Sequence, residues 1–237
     1  MTNLFDRSTF VPTRLASQPH FKTPLGVLEL SVSVAGKCSS ELSPKAFQND
    51  DLSAQVFVYS LDEAAVELLL CPAKTLLPNG MSVEGSRASI LRVSSEIDDL
   101  KLSYCCCWSP KVPTPEGGPS CGEHLEAMTW DSKDTMVSLG TPDEEYLVWR
   151  VGREIPTRWR EFLSASDGWG FYVHPLEDRG TIIESPGLMK GESCELYFKV
   201  AWSEYREDDC STWFAVDVCY DKDLPWWPGQ DSFVVNK

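Results

Sequence analysis

The middle of the chain holds the residues whose types and spacing could do chemistry. Tyr104-Cys-Cys-Cys-Trp-Ser-Pro110 sets Cys105, Cys106 and Cys107 in a row, and Cys121 and His124 follow across a short connection. Thiolates and imidazoles are zinc ligands, and Cys105-x-Cys107…Cys121-x-x-His124 supplies four of them. The opening pair is tighter than the usual zinc spacing, with one residue between the cysteines instead of two to four. On a strand, alternate side chains face opposite ways, so Cys105 and Cys107 share a face and Cys106 opposes them. Cysteine also packs as a small apolar side chain, and Leu102-Ser-Tyr-Cys-Cys-Cys-Trp108 reads as a strand covered on both faces. Strand packing accounts for the row more simply than a metal does, and no stoichiometric zinc is expected.

Other chemistry is sparse. The histidines are His20, His124 and His174, too few for much choice of triad or three-histidine metal site, and His174 sits before Pro175 at a strand end. There is no G-x-S-x-G elbow, no P-loop and no dinucleotide-binding glycine motif, and Gly168-Trp-Gly170 reads as a turn. Carboxylates cluster at Asp143-Glu-Glu145, Asp208-Asp209, Asp217, Asp221 and Asp223, but a glycosidase needs two of them facing across a cleft. No catalytic residue, cofactor-binding residue or metal ligand is assigned. Trp226-Trp227, between Pro225 and Pro228, could stack on a sugar ring, anchor a partner or pack back on the domain.

The elements that would position these residues are mostly strands. Residues 1–24 carry Pro12, Pro19 and Pro24 without sustained periodicity and read as an extended N-terminal arm, followed by one β-domain over 25–237. From Val27 to Val34 apolar and polar residues alternate strictly, which makes a strand with one wet face. Further strands are expected at Gln55–Ser60, Ala65–Cys71, Ala88–Ser94, Leu100–Trp108, Thr135–Leu139, Glu145–Val151 and Gly170–His174. The run Ala64–Leu70 suits a strand or a helical turn equally. Pro78-Asn-Gly80 marks a turn, and the proline- and glycine-rich stretch 109–122 reads as a loop without regular structure. Glu195–Trp202 and Trp213–Tyr220 read as adjacent antiparallel strands, and only Arg158–Ser164 looks helical. About ten short strands with almost no helix imply an all-β antiparallel sandwich, of jelly-roll type.

Composition narrows the function classes. The 21 basic residues stand against 36 acidic ones, a net charge of −15, which repels a phosphate backbone and argues against direct nucleic-acid binding. The N-terminus lacks a charged start followed by an apolar run, and no window is long and apolar enough for a membrane span. Nine cysteines, an odd number at uneven spacing, suit free thiols in a reducing compartment.

Two stretches resemble a known family. Leu25-Gly-Val-Leu-Glu-Leu-Ser-Val-Ser-Val-Ala-Gly36, with Ala54–Ser60 after it, is similar to the start of the jelly-roll small coat proteins of comovirus-type, picorna-like plant viruses. Glu195–Trp202 with Trp213–Asp223 is similar to their last two strands. The resemblance implies a capsid subunit of an icosahedral virion without enzymatic activity, found in the virion and the host cytoplasm. Such a subunit would assemble with other coat subunits around an RNA genome, as homo- and hetero-oligomers. The apolar residues Leu4, Phe5, Phe10 and Val11 of the arm, and Trp226, Trp227 and Phe233 of the tail, would then order against neighbouring subunits. The charge supports a second reading, an acidic cytosolic binding protein of inhibitor or immunity type that masks a basic partner through loops such as 143–145 and 207–209. Tryptophans and carboxylates alone support a third, a carbohydrate-binding or carbohydrate-active sandwich.

Overall fold

The structure, a computed structural model, describes residues 4–13, 18–73, 77–111, 113–150, 155–164 and 171–217. In chain order the first strands are β1 (Phe10–Thr13), β2 (His20–Thr23), β3 (Gly26–Val34), β4 (Lys37–Cys38), β5 (Lys45–Asn49), β6 (Gln55–Ser60), β7 (Ala64–Pro72) and β8 (Gly85–Ser95). Next come β9 (Leu100–Trp108), β10 (Gly117–Pro119), β11 (Leu125–Asp131) and β12 (Thr135–Pro142), then helices α1 (Glu144–Arg150) and α2 (Thr157–Ser164). The chain continues through β13 (Tyr172–Pro175), β14 (Gly180–Leu188), β15 (Ser193–Glu204) and helix α3 (Ser211–Val216). Among the described residues no helix is long and apolar enough to cross a membrane.

These strands make two antiparallel sheets. The larger runs β1-β5-β6-β7-β8-β15-β12-β11-β10, and the smaller runs β13-β14-β9-β3-β2, with β4 paired to β3. Strict alternation makes the smaller sheet one-sided. In β3 the residues Leu28, Leu30, Val32 and Val34 are buried while Glu29, Ser31 and Ser33 are partly exposed, and β9 repeats the pattern. The two sheets meet through aromatic contacts. The Tyr104 and Phe198 rings lie 4.9 Å apart, and Trp108 meets Trp130 edge-on at 5.2 Å. The Trp130 indole donates to the Asp178 carbonyl at 2.6 Å, so its one polar atom is satisfied in the core.

The larger sheet is covered on parts of its outer face as well, which is why β7 and β15 read as near-continuous apolar runs. Helix α3 covers β12 and β15, and residues 4–7 lie over β7 and β8. There Glu67, Arg92 and Glu195 form one cross-strand row, and the Arg92 guanidinium sits 4.3 Å from the centre of the Phe5 ring.

Several expectations are corrected. The described part of the 1–24 arm contains β1 and β2, which pair with β5 and β3 in different sheets, and Phe5 and Phe10 are buried against the chain's own core. Strands of four residues are too short to show a period, so their existence rests on partners distant in sequence. Glu145–Val151, expected as a strand, is largely α1, because Asp143 accepts the Tyr146 amide at 2.7 Å and starts a helix. Trp213–Tyr220, expected as a strand beside Glu195–Trp202, is α3 over its described part, and β15 pairs with β8 and β12 instead. The 109–122 stretch contains the short edge strand β10. The ambiguous Ala64–Leu70 run is β7. The strands β5, β11 and β14 were not expected. Gly168–Gly170, Asp221, Asp223, Trp226, Trp227 and Phe233 lie outside the described residues.

Candidate functional site

Three connections meet at one end of the larger sheet: the β11–β12 turn, the residue before β8, and the segment from the end of β15 to α3. Backbone bonds fasten them together. The Tyr205 amide donates to the Asp134 carbonyl at 3.0 Å, and the Glu84 amide donates to the Trp202 carbonyl at 2.9 Å. The Ser132 hydroxyl closes the β11–β12 turn by accepting from the Asp134 and Thr135 amides. Asp208 takes a left-handed conformation, φ 63°, and lets the 206–209 turn close.

The result is an acidic surface. Glu84, Asp131, Asp134, Glu204, Glu207, Asp208 and Asp209 gather there against Lys133 and Arg206, with Tyr205 37% exposed among them. Arg206 pairs with Glu204 at 3.3 Å in full solvent, a contact worth little. Asp209 is committed to structure. It accepts both the amide and the hydroxyl of Ser211, bonds that hold its carboxyl below the usual carboxylate range. The other six carboxylates are exposed. An aromatic anchor ringed by like charges can attract and orient a cationic surface, because the field adds over the group while the ring supplies contact area.

The other acidic stretch is put to structural use. Asp143 caps α1 and lies 3.4 Å from His124 Nδ1, and Glu144 accepts the Val173 amide at 2.7 Å. Only Glu145 of the three is exposed. Sequence alone does not separate 143–145 from 207–209, since both read as short acidic runs beside apolar segments.

The four residues with zinc-ligand chemistry are split between sheets. Cys105 and Cys107 face outward from β9 in the smaller sheet, with Cys106 buried on the opposite side. Cys121 lies between β10 and β11 in the larger sheet. Burial and the Glu126 carboxylate, which accepts its thiol at 2.9 Å, push that thiol up. His124 stacks on Tyr146 with ring centres 5.6 Å apart. Among the described residues no three of His, Cys, Asp and Glu converge as metal ligands would. His20 shares its Nδ1 proton with the Gln18 carbonyl at 2.9 Å, and His174 is exposed on the edge strand β13. None of the eight described cysteines is joined in a disulfide.

The outer face of the smaller sheet also carries a shallow groove of about 570 Å³, lined by Ser33, Lys101, Ser103, Arg158, Tyr172 and Glu184 among others. Ser33, Ser103, Glu184 and Tyr172 stand in one cross-strand row. Mixed charge distinguishes this groove from the acidic end.

No family model and no curated protein matches the chain. Among solved structures the chain is similar to a protein named as a kojibiose phosphorylase from the human microbiome, with 6% identity and a TM-score of 0.42. The match covers 83% of this chain and 26% of that one, so the chain spans about a quarter of that protein's length.

Proposed function

We propose that this protein is a non-catalytic binding protein that masks a basic protein partner, the acidic end around Tyr205 forming the contact. The observation that supports it is the convergence of six exposed carboxylates from three separate connections around one exposed aromatic ring. Charge of that density raises the association rate of a cationic partner and makes it salt-sensitive, while the ring contributes to residence time.

The coat-subunit reading is the rival. Its jelly roll is the finer form of the sandwich, and that form interleaves two Greek keys. Here β5, β6, β7 and β8 are consecutive neighbours in one sheet, and the described part of the segment compared with the last coat strand is α3. Both facts lend the binding reading more weight than the shell.

The test uses poly-lysine and a basic globular protein as probes. Reversing Glu207 and Asp208 to Lys should weaken binding at least tenfold, and Tyr205→Ala should speed dissociation. Reversing the equally exposed Asp50 and Asp51, which lie in the β5–β6 turn, should have little effect. Equal losses from both pairs would mean that only the overall field is felt. Concentration-dependent assembly into large closed particles, seen by light scattering, would favour the coat reading.

A further inference from the structure

The open face of the smaller sheet holds a recess that neither the acidic end nor the core uses. It is the groove of about 570 Å³ crossed by Tyr172, Glu184, Ser103 and Ser33, one residue from each of β13, β14, β9 and β3. Neighbouring strands lie about 4.8 Å apart, so this row runs about 14 Å across the sheet. Its surroundings are fixed. Trp159 of α2 packs on Phe171 with ring centres 4.7 Å apart, and its indole donates to the Pro186 carbonyl at 3.3 Å. Arg158 and Tyr172 adjoin those two buried rings in the chain, so both are held beside the groove by their neighbours. Further along, Asp99 takes a left-handed conformation, φ 56°, in the β8–β9 turn. Gly187 makes room for its carboxylate, which a Cβ at that position would strike.

The chemistry of the lining is balanced. Lys101 and Arg158 bring two positive charges, and Asp99 and Glu184 bring two negative ones, in a chain whose net charge is −15. A phosphate gains no net attraction from such a lining, and neither does the basic partner assigned to the acidic end. The groove offers hydrogen bonds instead. Its cations are donors, its carboxylates are acceptors, and its serine hydroxyls can act as either. Arg158 meets Glu161 at 3.3 Å in an exposed pair, weak enough to yield to another acceptor. Tyr172, 43% exposed, adds a flat apolar ring at one end of the row. A peptide added as a strand needs an open sheet edge, whereas β9 and β14 beneath the groove are paired on both sides.

We propose that this groove binds a short neutral oligosaccharide, with Tyr172 stacked on one sugar ring and Glu184 and Arg158 hydrogen-bonded to hydroxyls. A pyranose ring presents an apolar C–H face and a rim of hydroxyls that donate and accept. The Tyr172 ring meets the first, and the balanced charges and serines meet the second. The length of the row suits a chain of sugar rings lying across the strands. This site is separate from the acidic end, and the two readings stand or fall independently.

The experiment titrates the full chain by calorimetry with cellotriose, maltotriose, xylotriose and mannotriose, and with sialyllactose and inositol hexaphosphate as charged comparators. At least one neutral trisaccharide should bind with a Kd below about 1 mM. A tenfold rise in salt should leave that affinity within twofold, because the ligand carries no charge. Tyr172→Ala, in protein that melts like the parent, should weaken binding at least tenfold. Tyr172→Phe, which keeps the ring, should weaken it less than threefold, and Glu184→Gln should weaken it several-fold. Tyr205→Ala should leave it unchanged. Failure of all four neutral sugars to bind would overturn the proposal. So would affinity unaffected by Tyr172→Ala, or tighter, salt-sensitive binding of either charged comparator.

Discussion

The backbone amide of Phe5 donates to the Glu67 carboxylate at 2.9 Å, joining residues 62 apart in sequence on the outer face of the larger sheet. Glu67 is 2% exposed, and the Arg7 guanidinium lies 3.4 Å from its other oxygen. The first described residues are therefore part of this chain's own fold.

Removing that carboxylate should be costly. Glu67→Ala leaves the Phe5 amide and Arg7 without it in a largely dry site, and the expected loss is about 3 kcal/mol. Urea denaturation gives the number, and proteolysis on the N-terminal side of Phe10 should quicken. A segment that becomes ordered only against a neighbouring subunit would leave the isolated chain's stability unchanged.

Glycine substitutions should separate sharply by position. Gly180→Ala forces β14 away from β9, an overpacking expected to cost about 3 kcal/mol. Gly118→Ala, with nothing within 4 Å of the added methyl, should stay within about 0.5 kcal/mol. Thermal melts of the two variants side by side provide the check.

Asp209→Ala should lower stability by about 1 kcal/mol at neutral pH, the usual net worth of an intramolecular hydrogen bond. The bonds from Ser211 depress the folded-state value of this carboxyl below its ordinary 3.8. Its contribution is therefore complete above 3.8 and fades as pH falls through the lower folded value. Denaturation of parent and variant across acid pH should show the difference shrinking only at the acid end.

Alkylation of Cys107 by iodoacetamide should rise with pH around a midpoint below the ordinary thiol value of 9.0, because the neighbouring Cys105 thiol and then the Arg179 charge favour its thiolate against burial and Glu29. Below that pH the thiol is protonated and slow to react, and above it the thiolate dominates. Cys121 should reach its midpoint above its ordinary value. Quantitative mass mapping across pH follows all of these sites in one series.

The sequence by itself determined the all-β class, because period-two alternation in β3 and β9 commits one face of each strand to the core whatever its neighbours are. It likewise determined that Cys105 and Cys107 share a face, since the pleat allows nothing else. It did not separate α1 and α3 from strands. Tyr146-Leu-Val and Trp213-Phe-Ala-Val have good strand composition; the Asp143 carboxylate caps the first as a helix, and an Asp209 turn onto Ser211 leads into the second. Short strands such as β1, β2 and β10 depended on partners elsewhere in the chain, and no local period announces a four-residue pairing. Only the tertiary structure decided which acidic run faces outward. The carboxylates of 143–144 are consumed by an amide of α1 and the edge of β13, whereas those around Tyr205 are brought together by backbone bonds between residues distant in sequence, such as Glu84 to Trp202 and Tyr205 to Asp134. Charge alone carries no information about that grouping, because a carboxylate's availability depends on which amides happen to lie within its reach.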